Sequence, residues 1–358
     1  MNVKFSSLMV PALLLSAAGL ACAESTPSTS LLVLSKGDLT LSIVDPSNLH
    51  VVARMPSGPD PHEVIASSDG RFAYVSNYGS NNFITVVDLI EQKTLPAIDL
   101  GPLHSPHGLV YVGGKLWFTA EGAKVIGSYD PATKKVDWIL GTGQNRTHML
   151  YVFDDLKRII TSNVASATMT IIDKTAGAPG RGPGPGGPPP GNGPARGPGP
   201  GPGRGNQQGD WDETVVAVGR GAEGFDVAPG GKELWAANAQ DGTISIVDIP
   251  GKKVVQTLAA DVMGANRLKF TPDGKLVLVS TLNGSDVSIF DAATRAVVKR
   301  VKVGRGAAGI QMQPDGSRAF IGCTPDDYVA IIDLKSLSVT GHIDAGKQPD
   351  GLAWAVRR

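Results

Sequence analysis

The chain has 358 residues, and its 33 basic residues balance its 33 acidic residues. That balance gives no reason to expect a nucleic-acid partner or an anionic membrane surface. Its length leaves ample material for one large hydrophobic core.

Residues 1–23 have the features of a secretory signal peptide. Lys4 precedes a mostly apolar run from Leu8 to Leu20, and Ala21-Cys22-Ala23 fits a small-residue cleavage site. The apolar run is too short to span a bilayer. We therefore expect a mature chain that begins near Glu24, carries no membrane-inserted segment and is periplasmic or secreted. Cleavage would leave Cys323 as the one cysteine, so no intrachain disulfide is expected.

Residues 24–358 are expected to form one all-β domain built from repeats. Short β-type runs such as LSIVD, ITVVD and ISIVD each end in an aspartate, and successive aspartates stand 43, 42, 43, 75, 43 and 42 residues apart. A repeat of about 40–45 residues with several strands is typical of a β-propeller. The aspartates are expected to cap the turns that follow. They are Asp45, Asp88, Asp130, Asp173, Asp248, Asp291 and Asp333.

The one long step contains residues 176–209, which include 14 glycines and 10 prolines. Such a composition cannot bury a core, so the sequence predicts a disordered insert within one repeat. Without it, the step is 41 residues.

The two ends of the chain complete one repeat between them. The N-terminal runs LLVLSKG, LTLSIVD and LHVVARM correspond to strands B, C and D, and the C-terminal PDGLAWAV corresponds to strand A. The sequence therefore predicts seven four-stranded antiparallel blades, with the ring closed by this shared blade.

The turn and strand residues resemble the YVTN-type repeat of exported bacterial propellers. Tyr74-Val75-Ser76-Asn77 follows the turn Ser67-Ser68-Asp69-Gly70-Arg71, close to the family pattern. The resemblance covers the chain after residue 23 except the insert. It implies a propeller fold and a relation to lactonase-like propellers, which is the origin of an enzymatic alternative.

One position recurs at the start of strand A in every repeat, and in a propeller it faces the mouth of the central channel. Three of the six histidines fall there on consecutive blades. The seven residues are His62, His107, His148, Glu223, Asn266, Ala308 and Asp350. We call them the ring residues. The B–C and D–A loops on the same face add candidate rim residues. These are Lys36, Tyr78, Asn81, Glu121, Arg146, Arg267 and Lys347.

Three interpretations of the ring residues stay open from sequence alone. His62, His107, His148 and Glu223 form a ligand set suited to a divalent transition metal. The same histidines could act as general acid and base without metal. The third interpretation is a polar lining of the channel mouth, in which these side chains contact only water or backbone. No complete catalytic motif is present, so no catalytic residue is assigned.

The leading hypothesis is an exported, monomeric binding or scaffold propeller for a small polar ligand or a protein partner. Its ligand site would include His62, His107, His148, Glu223, Asn266, Arg267 and Asp350. The rival hypothesis is a metal-assisted hydrolase or lyase of lactonase-like type at the same mouth.

Overall fold

A computed structural model describes residues 24–175 and 210–357. The predicted signal peptide and the predicted insert lie outside these described residues. No helix among them is long and apolar enough to cross a membrane.

The described chain forms seven four-stranded antiparallel sheets arranged as a seven-bladed β-propeller, as the repeat predicts. Blade 1 consists of β28 (Pro349–Val356), β1 (Thr29–Ser35), β2 (Thr40–Asp45) and β3 (His50–Pro56). The C-terminal strand pairs directly with the N-terminal one, with Thr29 opposite Val356. The two termini therefore close the ring, and the prediction of a shared blade is confirmed.

The other six blades each use four consecutive strands. Blade 2 contains β4 (Pro61–Ala66), β5 (Phe72–Asn77), β6 (Phe83–Asp88) and β7 (Lys93–Asp99). Blade 3 contains β8 (Pro106–Val112), β9 (Lys115–Ala120), β10 (Val125–Asp130) and β11 (Lys135–Gly141). Blade 4 contains β12 (Thr147–Val152), β13 (Arg158–Asn163), β14 (Thr168–Lys174) and β15 (Trp211–Ala217).

Blade 5 contains β16 (Ala222–Val227), β17 (Glu233–Asn238), β18 (Thr243–Asp248) and β19 (Lys253–Leu258). Blade 6 contains β20 (Ala265–Phe270), β21 (Leu276–Thr281), β22 (Asp286–Asp291) and β23 (Val297–Lys302). Blade 7 contains β24 (Ala307–Met312), β25 (Arg318–Cys323), β26 (Tyr328–Asp333) and β27 (Ser338–Ile343). Three short 3-10 turns follow strand B at Glu121–Ala123, Val164–Ser166 and Thr324–Asp326.

The hydrophobic core lies between neighbouring blades. Ala, Val, Ile, Leu and Phe side chains from strands A, B and C of one blade pack on those of the next, as Leu278, Val287 and Ile289 of blade 6 do against Ile310 and Ile321 of blade 7. Strand D is the most exposed strand of each blade. Burial of apolar side chains between blades is the main stabilising contribution, and it leaves strand A free to line the channel.

Most strand C aspartates have the structural role that the sequence predicts. Their carboxylates accept hydrogen bonds from backbone N–H groups two or three residues later, as Asp45 does from Ser47 at 2.8 Å and Asp333 from Ser336 at 2.7 Å. Asp88, Asp130 and Asp291 do the same. Asp173, next to the insert, instead contacts Arg158 and Lys252.

Candidate functional site at the channel mouth

The ring residues are presented by an irregularity that recurs in strand A of each blade. In blade 2, Pro61 pairs with Asn77 and Val64 pairs with Val75, so two residues of β4 oppose one of β5. Equivalent register shifts occur at the start of β8, β12, β16, β20 and β24, and near Pro349 in β28. Such β-bulges turn side chains away from the regular alternation of a strand. Each ring residue and its successor lie in this bulge.

Side-chain hydroxyls of strand B stabilise several of the bulges. The Ser280 Oγ accepts the Arg267 N–H at 3.2 Å and donates to the Ala308 carbonyl of the next blade at 2.7 Å. The Thr119 hydroxyl connects the Gly108 N–H with the His148 carbonyl in the same way. Backbone groups that the bulge removes from the ladder are thereby satisfied, and neighbouring blades are joined at the ring.

Glycine follows the ring residue in four blades because the next blade approaches very closely there. A Cβ atom on Gly108 would lie 2.6 Å from the His148 carbonyl oxygen, and one on Gly224 would lie 2.5 Å from that of Asn266. The other three blades carry Glu63, Met149 and Arg267 at this position.

All seven ring residues line one cavity of about 460 Å³ at the channel mouth. Lys36, Tyr78, Arg146 and Arg267 of the predicted rim also line it. Glu121 is buried beside it and contacts three of its residues. Asn81 and Lys347 do not line it. The Asn81 amide instead donates to the Tyr78 carbonyl.

His148 lies between two carboxylates. Its Nδ1 contacts Glu121 Oε1, and its Nε2 lies 3.3 Å from Glu223 Oε1, although the direction there does not meet hydrogen-bond geometry. Burial lowers the pKa of His148, but the two glutamates outweigh burial, and the net pKa is raised. The two carboxylates therefore favour the protonated form of the ring.

Glu223 and Arg146 complete this charged group. Arg146 Nη2 donates to Glu223 Oε1 at 3.0 Å, and Arg146 Nε lies 3.6 Å from Glu121 Oε2. Burial raises the pKa of Glu223, but its contact with His148 and the charges of His148 and Arg146 lower it to about 2. Burial and a hydrogen bond to Glu121 raise the pKa of Tyr78 to about 12. Both glutamates are thus held by cations and by donated hydrogen bonds.

His62 has a different environment on blade 2. Lys36 Nζ lies 2.7 Å from His62 Nε2 and 3.2 Å from Asp350 Oδ2, while His62 Nδ1 lies 3.2 Å from the Asp60 carbonyl. Burial, and then the Lys36 charge, lower the pKa of His62. His62 is therefore neutral, and its Nε2 accepts from the lysine.

His107 is the histidine without a partner. It is 2% exposed, its ring centroid lies 3.7 Å from that of His148, and its Nδ1 has no hydrogen-bond partner among the described residues. Burial, and then the neighbouring His148 charge, hold the pKa of His107 well below its ordinary value. The neutral ring has one donor and one acceptor nitrogen. Asn266 Oδ1, across the ring on blade 6, is also buried without a partner in the described chain.

The predicted metal ligands do not fit one ion as they are placed. His148 is engaged by two carboxylates, and the nitrogen of His62 nearest the cavity faces an ammonium group at 2.7 Å. Among the described residues, His107 Nδ1 has no partner and no carboxylate or ammonium group in contact, whereas His148 Nε2, also without a hydrogen bond, faces Glu223 at 3.3 Å. Within residues 24–175 and 210–357, no group of three His, Cys, Asp or Glu side chains is arranged to hold a metal. Metal binding by His62, His107, His148 and Glu223 stays a prediction that these contacts do not support.

The partner of Arg267 is not among the residues that the sequence predicts for the site. The buried guanidinium of Arg267 contacts the Glu63 carboxylate from blade 2 and donates to the Asn266 carbonyl. Arg267 lines both the mouth cavity and a second cavity of about 220 Å³ deeper in the channel, which Glu63 also lines. The pair forms a floor between the two. Opposite charges at the bulge position after the ring residue were the available sequence signal.

Fold and site together define a seven-bladed propeller with a polar, partly buried cavity at one mouth. No protein-family model and no curated protein matches the sequence. Solved structures do match. A functionally unknown protein from Desulfotomaculum acetoxidans aligns over 91% of this chain and 98% of its own, with 12% identity and a TM-score of 0.70.

Two further similar structures have assigned descriptions. A 6-phosphogluconolactonase-like protein from Bacteroides uniformis covers 91% of this chain and 99% of its own, with 13% identity and a TM-score of 0.70. Hydrazine synthase from Kuenenia stuttgartiensis aligns over 82% of this chain and 89% of its own, with 17% identity and a TM-score of 0.62. At these identities the likeness establishes the propeller fold alone.

Proposed function

We propose that this propeller is a binding protein whose mouth cavity takes a small polar ligand. His107 carries the proposal, because it lines the cavity and its buried Nδ1 has no partner among the described residues, which is costly unless something binds it. A cavity of about 460 Å³ falls within the usual range for small-molecule sites. A few convergent polar groups would fix the ligand's orientation.

A thermal-shift screen tests this proposal. Sugars, sugar acids, sugar phosphates, amino acids and dicarboxylates are added to the wild type, to His107→Phe and to His50→Ala. His50 is exposed on an outer strand, which makes it the matched control. At least one compound should raise the Tm of the wild type and of His50→Ala but not of His107→Phe. No shift with any compound, or the same shift in His107→Phe, contradicts the proposal.

Hydrolysis of a lactone is the second candidate function. A neutral His107 nitrogen facing the cavity could take a proton from water attacking a carbonyl, and some structural neighbours are lactonase-like. Glucono-1,5-lactone opening should then exceed background and fall to background in His107→Gln. Turnover abolished by a chelator would favour the metal-assisted mechanism instead, and a rate equal to buffer contradicts both.

The proposal also includes a relationship to the YVTN-type repeat family and export from the cytoplasm. The repeat pattern supports the relationship, since Tyr74-Val75-Ser76-Asn77 lies in β5, the strand that follows the Asp69-Gly70 turn. Residues 1–23 supply the features of an export signal. A monomeric state and a protein partner likewise stay predictions from sequence.

A further inference from the structure

The charged groups around the mouth cavity are already neutralised by one another. Lys36 lies 3.2 Å from Asp350, and Asp60 at the rim lies 4.0 Å from the same ammonium. Arg146 and the charged His148 are held by Glu121 and Glu223. Each cation therefore has an acid in contact.

The floor of the cavity follows the same pattern. Arg267 contacts Glu63, and its side chain is 7% exposed against 14% for the glutamate. An anionic ligand would have to compete with Glu63, Glu223 or Asp350 for its cation. A cationic ligand would have to displace Lys36, Arg146 or Arg267 from its acid. Either exchange leaves one buried charge without a partner, which is strongly unfavourable.

Three cavity-lining residues have a buried side-chain atom without a hydrogen-bond partner in the described chain; one is His148 Nε2, which faces Glu223 Oε1 at 3.3 Å, and the other two are uncharged. Nδ1 of His107 and Oδ1 of Asn266 are buried and without partners among the described residues, and they lie on blades 3 and 6. A hydroxyl group both donates and accepts, so it can satisfy a neutral imidazole and a carboxamide alike. Hydroxyls placed on two sides of one small molecule would reach both.

An aromatic surface completes the cavity. The Tyr78 ring lies 4.7 Å from His62 and 5.1 Å from His107, measured between ring centroids. Aromatic rings at a polar site offer an apolar face beside polar groups. A sugar ring matches such a site, because its C–H groups form an apolar face and its hydroxyl groups form a polar edge.

We propose that the mouth cavity binds an uncharged, polyhydroxylated ring such as a neutral sugar or sugar lactone, with His107 and Asn266 as its recognition groups. This inference rests on the proposed function and narrows it to one chemical class. It predicts that this chain prefers an uncharged sugar to a phosphorylated one.

Calorimetric titration with matched sugars tests the class. Glucose, galactose and mannose are each compared with their uronate, their 2-amino and their 6-phosphate forms, so that charge of either sign is introduced on the same sugar ring. A neutral member should bind at least about tenfold tighter than its charged forms. Its affinity should change less than about twofold between roughly 0.05 and 0.5 M NaCl, since no ion pair with the ligand is formed.

Two variants identify the recognition group. Asn266→Asp places an unpaired acid in the cavity and should reverse the preference toward the amino sugar, whereas Asn283→Asp on an exposed loop should not. Folding of both is checked by the thermal midpoint without sugar.

The outcomes separate the two proposals. Tighter binding of a charged form, or a panel that fails while a compound of another class binds at His107, overturns the neutral-sugar inference and leaves the proposed function standing. Failure of the whole panel together with failure of the His107-dependent screen overturns both.

Discussion

Two positions recur in every blade, and they behave in opposite ways. At the end of strand C the residue is always aspartate, and in five blades it accepts backbone hydrogen bonds from the following turn. At the start of strand A the residue changes from blade to blade. Its histidines alone include a ring held between two carboxylates, a ring held by lysine and a ring whose Nδ1 has no partner among the described residues.

The strand C position serves the structure of each blade, whereas the strand A position serves the site at the channel mouth. A turn cap acts within its own blade, so one residue type serves all blades. A ring residue acts through its neighbours around the axis, so its chemistry depends on the blades beside it. Acids from blades 3 and 5 favour the charged form of His148, and a charge on His148 lowers the pKa of His107.

The largest effect is expected at the floor of the cavity. Glu63→Ala leaves Arg267 buried without its carboxylate and should lower the free energy of unfolding by about 3–5 kcal/mol. Chemical denaturation measures it. The double variant Glu63→Leu with Arg267→Met should recover most of the loss, because it removes both charges.

Lys275→Ala is the control for that measurement. Lys275 pairs with Asp273 at 3.1 Å, and both side chains are largely exposed. It should leave unfolding unchanged within error. A Glu63→Ala variant as stable as this control would show that the floor pair is not a buried ion pair in solution.

Acid stability should depend on Glu223 at the ring. Its pKa is lowered in the folded state from an ordinary 4.5 to about 2. The stabilisation is thus fully present above about 4.5 and is lost as the pH falls toward about 2. Unfolding of the wild type and of Glu223→Gln, followed from neutral pH downward, should show a difference that shrinks over this window. A difference independent of pH would contradict the ion-pair assignment.

The features that repeat in every blade were predictable from the sequence, whereas contacts between different blades were not. The aspartate spacing predicts blade number, ring closure and the shared register of His62, His107 and His148, because all three follow from the repeat. Pairing across the ring does not follow from it. Glu63 and Arg267 stand 204 residues apart, and their contact depends on which blades face each other.

The protonation of the ring histidines was also beyond the sequence. His62, His107 and His148 share one register, yet Lys36, Glu121 and Glu223 give each a different hydrogen-bond environment. Burial lowers the pKa of all three, a neighbouring positive charge lowers that of His62 and His107 further, and only at His148 do two glutamates reverse the direction. The predicted metal site combines three imidazoles with Glu223, and the contacts place those imidazoles in three different environments.

A smaller effect is expected at the strand C aspartates. Asp45→Ala removes acceptors for the Ser47 N–H and hydroxyl and should cost about 1 kcal/mol of unfolding free energy. Binding at the mouth should be unchanged, because this turn lies outside the cavity. Unaltered stability with weakened binding would mean that Asp45 serves the site and not its own turn.

The smallest effect on folding is expected at His107, where the effect on binding should be the largest. His107→Phe keeps a ring to pack against His148 at the present centroid separation of 3.7 Å and removes a buried nitrogen that has no partner. The free energy of unfolding should therefore stay constant or rise by about 1 kcal/mol, while ligand binding at the mouth is lost. Chemical denaturation and calorimetric titration on the same preparation measure the two effects. A loss of more than about 2 kcal/mol would mean that His107 stabilises the fold, and the case for a recognition group on blade 3 would fail with it.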